Sequence, residues 1–483
     1  MNKRPFIPQS GIERAFATIA AIPHASKDER ALSDFLLSRY RARGLWAEQD
    51  DMGNLLVKKP GVAAGAERPA VLLCAHLDMV SAKEKESTHD FATDPLALYV
   101  DEAGWLRADG TTLGADDGYG VAYMMDLLDR DDVVHPPLEC LFTVQEEIGL
   151  CGAAGYDYKG ICARRVISMD SGELCTTTIA SAGGERLAFA LPLEKAETNG
   201  LAPLAIAIEG LAGGHSGGEI DKGRANALLI LGEMLSRIAE NEQAILLSLD
   251  GGCAHNAIAR AAEAVIAVSP KRVQAVYAQV AEATARCRAT FEQESEMQIS
   301  IHPAKCAQET GYLLRAAADF LCALPSGVYR MSESRHGMVM TSANLGVASL
   351  AEGTLHVLVM MRSVKRETAL FWESTYRAIA RAFRAELVVD SVYPGWTYRP
   401  ESPMREAVAR VLKEVTGNTL RMKPTHGGLE VGYFADNLPG ADIVTLGCDL
   451  EKLHAPGEKM DLASFETGYR VLLGVLKSLA EEK

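Results

Sequence analysis

The feature that most constrains this chain is the apolar run Val71-Leu72-Leu73-Cys74, which passes directly into Ala75-His76-Leu77-Asp78. A short unbroken apolar run reads as a strand buried on both faces, so layers must cover it on either side. A histidine and a carboxylate two residues apart at its end combine a metal-binding imidazole with a group able to orient it. Sites in open α/β sheets form beyond the carboxyl ends of the strands.

Three more segments end in the same way. Arg107 to Gly118 is a glycine-rich turn that opens a helix at about Val121–Leu128 and carries Asp116 and Asp117 at its corner. A helix N-terminus favours acids in its first turn, which accounts for Asp117. Asp116 lies beside small residues that let a ligand approach. The strand Leu138 to Val144 ends in Gln145-Glu146-Glu147. Adjacent glutamates that are both desolvated repel; a cation bound by one relieves this and leaves the other free for proton transfer. Arg165 to Asp170 is again a short apolar strand ending in an acid. His76, Asp116, Glu146, Glu147 and Asp170 therefore point to one shared site.

The opening of the chain reads helix, helix, strand, strand. A helix over residues 11–22 stops at Pro23, and Ser26-Lys27-Asp28-Glu29 has the spacing of a capping box for the next helix. From about Glu185 to Gly395 the pattern changes to an α+β alternation. Strands are expected at Leu187–Leu193, Leu204–Glu209, Ala244–Ser248, Ala264–Val268, Gln298–Ile301 and Thr354–Met361, and helices near 224–239, 271–288, 310–322 and 366–384. This block divides roughly into two halves. It holds the glycine loop Gly213-Gly214-His215-Ser216-Gly217-Gly218, then His255-Asn256 and Arg362. The last 85 residues return to α/β style, with a glycine turn Thr425 to Glu430 and the loop Leu453-His454-Ala455-Pro456-Gly457-Glu458 before a final helix at Leu462–Leu479. The middle block is thus inserted into one domain made from both chain ends.

A net charge of −15 excludes the basic face that nucleic-acid binding needs. No apolar run approaches the ~20 residues of a membrane helix. The basic N-terminus is followed by no long apolar segment, so no signal peptide is read there. Ten cysteines without a C-x-x-C pair read as reduced thiols of a cytoplasmic protein.

With these residues assembled, the chain resembles the aminoacyl-histidine (Xaa-His) dipeptidase branch of the co-catalytic zinc peptidases. That clan also holds carnosinases, tripeptide aminopeptidase, carboxypeptidase G and bacterial amidohydrolases. The stretches that carry the resemblance are Ala75 to Val80, Leu113 to Asp116, Glu146 to Gly149, Met169 to Ser171, Gly213 to Ile220 and Leu453 to Pro456, in family order along nearly the whole chain. The resemblance implies an α/β fold: a di-zinc exopeptidase-like catalytic domain, with a mixed central sheet flanked by helices, from residues 1–184 and 396–483. An α+β lid and substrate-binding domain, 185–395, is inserted in it.

The resemblance also implies roles. His76, Asp116 and Asp170 would bind one zinc, with Asp116 bridging to a second held by Glu147 and His454. Manganese or cobalt could replace zinc. Asp78 would stand behind His76, Glu146 would be the general base, and His215 would polarise the scissile carbonyl. Asn256, Arg362 and Glu430 would contact substrate, Arg362 as the anchor of a peptide carboxylate. The branch often has Asn at 117, Asp at 145 and Pro-His-Ser at 453–455, so this chain departs there without losing an implied ligand. The implied activity is metal-dependent hydrolysis of dipeptides with a free N-terminus, including Xaa-His and carnosine-like peptides, by a cytoplasmic homodimer. Alternatives are an N-acyl amino-acid amidohydrolase or an aminotripeptidase of the same clan. A non-catalytic binding protein would lack ligands or base, and here all are present.

Overall fold

Val71–His76 is a strand buried along its whole length. It pairs in parallel with Leu138–Thr143 on one side and Arg165–Ser168 on the other. The full sheet has six strands, in the order Trp46–Gln49, Leu55–Lys59, Leu138–Thr143, Val71–His76, Arg165–Ser168 and Asp442–Thr445. The first two pairings are antiparallel and the other three parallel. Strand alternation splits the apolar run between two layers. Val71, Leu73 and Ala75 join the core made with the helices Gly11–Ala20, Arg30–Ala42, Ala115–Asp129, Pro403–Thr416 and Leu462–Ala480. Leu72 and Cys74 face a second core with Tyr158, Phe434 and Leu438. Replacing Leu72 or Leu73 by alanine would leave a cavity in one layer and cost about 2–5 kcal/mol.

The computed structural model describes residues 3–305, 309–333, 335 and 337–482. It divides into two units. The first comprises Met1–Ser181, Trp396–Pro424 and Leu429–Lys483, and the second Ala182–Gly395 and Thr425–Gly428. Among the described residues no helix is long and apolar enough to cross a membrane.

The first unit also has a small antiparallel sheet of five strands, Arg4–Pro5, Leu98–Val100, Trp105–Ala108, Lys459–Asp461 and Leu450–Glu451. Its pairing of Lys459–Asp461 with Trp105–Ala108 brings the hairpin loop containing His454 beside the turn containing Asp116. The second unit is built on an eleven-stranded sheet, so its expected halves share one set of hydrogen-bonded strands. Leu355, Val357, Val359 and Met361 are fully buried on the strand Thr354–Ser363. Its longest strand, Val339–Ala351, was not expected: Thr341, Ser342, Asn344 and Gly346 break its apolar pattern.

One local expectation is corrected. Ser26 to Glu29 is not a capping box, because the helix Arg30–Ala42 has no side-chain cap. The Ser26 hydroxyl donates instead to Asp78, and Glu29 accepts the Gln145 N–H. The capping box belongs to the preceding helix, where Ser10 and Glu13 bond reciprocally.

Candidate functional site

His76 is the last residue of its strand and is 2% exposed. Its Nε2 lies 3.3 Å from Asp116 Oδ1, and the other oxygen of Asp116 lies 3.2 Å from His454 Nε2. The same His454 nitrogen is 3.0 Å from Glu147 Oε1. Donor atoms of His76, Asp116 and Glu147 all fall within 4.8 Å of one another. Asp116 reaches this place because Gly114 takes a left-handed φ of 66° at the start of the helix Ala115–Asp129. A side chain at Gly114 is also excluded by space: a Cβ would lie 2.9 Å from Met79 Sδ. The Asp116–Asp117 peptide is cis. Asp117 is fully buried, and neither of its carboxylate oxygens has a hydrogen-bond partner among the described residues.

The segment Val144 to Glu147 leaves the sheet with every N–H held by a side chain. Asn54 Oδ1 accepts from Val144 at 3.1 Å and Glu29 Oε1 from Gln145 at 3.0 Å. Asp78 takes the next two, Glu146 N–H at 2.9 Å and Glu147 N–H at 3.2 Å. His76 Nδ1 is 3.0 Å from the backbone carbonyl of Asp78 but 3.5 Å from its carboxylate. Asp78 thus steadies His76 mainly through its main chain, while its carboxylate seats the two glutamates.

Asp170 lies two residues past its strand. The Tyr119 hydroxyl accepts the Ser171 N–H at 2.9 Å and fixes the segment next to it. Glu430 stands at the N-terminal cap position of the helix Val431–Asn437 without capping it; one oxygen accepts from Thr143 Oγ1 at 2.8 Å and the other, buried, has no partner among the described residues.

Crowded, desolvated acids dominate the electrostatics. Burial, then the charges of Asp116 and Glu147, push the Asp170 carboxyl up to about 7. Burial raises Glu430 to about 7 as well, and raises Glu146 well above the usual carboxylate range. Asp116 moves the other way: burial opposes its charge, but His454 and His76 outweigh it and hold the carboxyl far below its ordinary value. Hydrogen bonds with Asp116 and Glu147 lift His454 to about 10. Nitrogen and oxygen donors gathered among carboxylates that destabilise one another suit divalent cations such as zinc, manganese or cobalt.

The second unit holds a different arrangement. Arg362 is 4% exposed, and no carboxylate pairs with it among the described residues. Its guanidinium donates to Tyr393 Oη at 2.9 Å, Ser216 Oγ at 3.3 Å and the His426 carbonyl at 3.5 Å. Its remaining nitrogen is 3.3 Å from His215 Nε2. The Gly217 N–H approaches His215 Nδ1 at 3.2 Å, and a neutral ring accepts from only one of the two. Partial burial and the Arg362 charge lower the His215 pKa and favour that neutral ring. Asn256 is half-buried beside this group, its carbonyl accepting the Ser216 N–H at 2.8 Å.

In the first unit the structure brings together donor atoms of His76, Asp116 and Glu147, with His454 against Asp116 and Glu147 and with Glu146, Asp170 and Glu430 near enough to feel their charges; the second unit holds His215, Asn256 and Arg362. Sequence reasoning missed Tyr393, Ser216 and His426 around Arg362, and Ser26 and Glu29 around the glutamate loop. Ser216, His426, Ser26 and Glu29 stand in stretches with a local signal, but their partners are distant in sequence and leave none.

The sequence profile described as Peptidase family M20/M25/M40 matches residues 72–478. The chain is 33% identical over 476 residues to the cytosol non-specific dipeptidase of Escherichia coli (strain K12), covering 96% of each. Among solved structures, the aminoacylhistidine dipeptidase of Vibrio alginolyticus matches with a TM-score of 0.88 at 28% identity, over 97% of this chain and 96% of that one. Aminopeptidase PepT of Bacillus cereus matches in fold, with a TM-score of 0.57 at 16% identity over 98% and 100% of the two chains.

Proposed function

The chain belongs to peptidase family M20/M25/M40, and from that premise we propose that it is a metal-dependent dipeptidase acting on dipeptides with a free N-terminus, Xaa-His peptides among them. The observation that carries this reading is the approach of His76, Asp116 and Glu147 donor atoms to within 4.8 Å of one another. The names of the Escherichia coli and Vibrio relatives favour dipeptides.

His76, Asp116 and Asp170 would hold one cation, and Asp116, Glu147 and His454 a second, with zinc the best match to this donor set. Bound there, the pair would supply Lewis-acid polarisation and lower the pKa of a water to about 7. Glu146 takes the proton of the attacking water and returns it to the departing amine, a role that typically contributes ~10² to 10⁴ in rate. Asp78 holds the backbone of both neighbours, and on it Glu147 serves as a ligand while Glu146 carries the proton. His215 donates to the oxygen on which negative charge develops, a contribution of a few kcal/mol per donor.

Arg362 anchors the peptide carboxylate. A buried guanidinium with only neutral partners is an incomplete ion pair, and a planar carboxylate completes it in two hydrogen bonds. Asn256 adds a polar contact beside it. Glu430, with its unpartnered buried oxygen, faces the free amino group of the substrate.

We place the protein in the cytoplasm, in line with the name of its Escherichia coli relative and with the nine described cysteines, all unpaired. We also propose a homodimer formed through the second unit. Phe371, 68% exposed, and Leu370 stand on the helix Arg366–Phe383, and Val388 and Val392 are exposed on the edge strand Glu386–Tyr393.

Hydrolysis of Ala-His, Ala-Ala-Ala and N-acetylated amino acids by the purified protein tests the substrate class. Ala-His should be the best of the three. Cleavage of N-acyl substrates alone would overturn the dipeptidase reading in favour of an amidohydrolase.

A further inference from the structure

The loop that delivers His454 also delivers Glu458, a carboxylate the proposed chemistry does not use. Glu458 is 2% exposed. Its Oε2 accepts the N–H groups of Leu113 at 2.8 Å and Gly114 at 3.2 Å. Its Oε1 accepts those of Ala115 at 2.9 Å and Asp116 at 3.4 Å. No cationic side chain pairs with it among the described residues. A buried carboxylate that accepts four successive backbone N–H groups fixes the path of that backbone, because any other path leaves its oxygens and the amides unpaired. The amides here run up to and include that of Asp116, whose two oxygens meet His76 and His454.

The topology makes this clamp two-ended. Glu458 directly precedes the strand Lys459–Asp461, which pairs with Trp105–Ala108, and that strand leads into the Leu113–Asp116 turn. The segment His454 to Glu458 therefore supplies one ligand candidate at one end and, at the other, the group that sets the backbone of its partner Asp116.

We infer that Glu458 is a positioning residue for metal binding: it locks the Leu113–Asp116 turn so that Asp116 presents one oxygen to each histidine. The inference rests on the metal-site reading above. Glutamine at 458 keeps the shape but turns an NH₂ group toward two of the four N–H donors, so two bonds are lost and donors face each other.

The test is equilibrium binding of Zn²⁺ alone, by competition with a chromogenic chelator, to wild type, Glu458→Gln and Glu139→Gln. Glu139 is a buried carboxylate of the same unit that accepts the Cys162 and Ala163 N–H groups, at 3.0 and 2.9 Å, away from the ligand loops. Glu458→Gln should bind zinc about 10- to 100-fold more weakly than wild type, while Glu139→Gln loses thermal stability but keeps wild-type zinc affinity. High zinc should restore the kcat of Glu458→Gln with the KM for dipeptide unchanged. Should Glu458→Gln not fold, Glu458→Asp, which keeps the charge but withdraws it by one methylene, takes the same measurement. Wild-type zinc affinity in the folded 458 variant, or an equal loss in both glutamine variants, overturns the inference. A wild-type protein that binds no zinc overturns the metal-site reading itself.

Discussion

The carboxylate of Asp78 accepts the backbone N–H of Glu146 at 2.9 Å, closer than it stands to the ring of His76 at 3.5 Å. This fixes what its removal should do. Asp78→Ala frees the N–H groups of both glutamates and removes the carboxylate beside His76, while the main-chain carbonyl that chiefly steadies that ring remains. Zinc affinity should fall about 10- to 100-fold, and kcat at saturating zinc should remain below wild type because Glu146 has lost its seat. Parallel titrations of bound zinc and of kcat separate the two effects. Complete recovery of kcat at high zinc would mean that Asp78 serves His76 alone.

Glu146 is separated from its neighbour by role, not by place. Glu146→Gln removes the proton carrier but none of the proposed ligands. The variant should hold the same zinc content as wild type and lose about 10² to 10⁴ in kcat, with KM little changed. Near wild-type turnover in a fully loaded variant would remove Glu146 from the chemistry.

Arg362 is buried without a counter-charge among the described residues, a state that costs stability until a carboxylate arrives. Arg362→Met should therefore keep or raise the Tm of the substrate-free protein. It should raise the KM for dipeptides roughly 10- to 100-fold, the worth of a charged hydrogen-bonded contact. A dipeptide amide, lacking the carboxylate, should distinguish wild type from variant far less. An equal penalty on acid and amide would show that Arg362 only supports the fold.

The metal-free site holds protons that a cation must displace. His454 is raised to about 10, so it is protonated at pH 7, and Asp170, raised to about 7, is partly protonated there. Both must deprotonate to ligate, so zinc binding at pH 7 should release on the order of one proton or more per chain, and affinity should rise with pH up to about 10, most steeply below about 7 where both groups hold protons. Calorimetry in two buffers of different ionisation enthalpy measures the release. A binding enthalpy independent of buffer would contradict the ligand assignment of His454.

Strand-end chemistry was legible because it is local. The run Val71 to Cys74 announces its strand, and His76, Glu147 and Asp170 follow from where such strands stop. The expected helix at Val121–Leu128 extends back only to about Gly118, because Asp116 and Asp117, with ψ of 107° and 33°, interrupt the helical backbone after Ala115. Long-range partners were not legible. Ser26 and Glu29 have the spacing of a capping box, yet their side chains serve Asp78 and Gln145, 52 and 116 residues away. Tyr393 meets Arg362 across Gly184 of the strand Gly183–Pro192 that lies between theirs, a register the sequence does not print, and Glu458 meets Leu113 over 345 residues. Side chains that hold backbone amides leave no periodic pattern, since their partners are not side chains at all.

The most direct test of the central claim is hydrolysis of Ala-His by the protein stripped of metal with a chelator, then titrated with zinc. Activity should vanish on stripping and return as zinc is added, saturating at two ions per chain. Undiminished hydrolysis by protein shown to contain no metal would contradict the account.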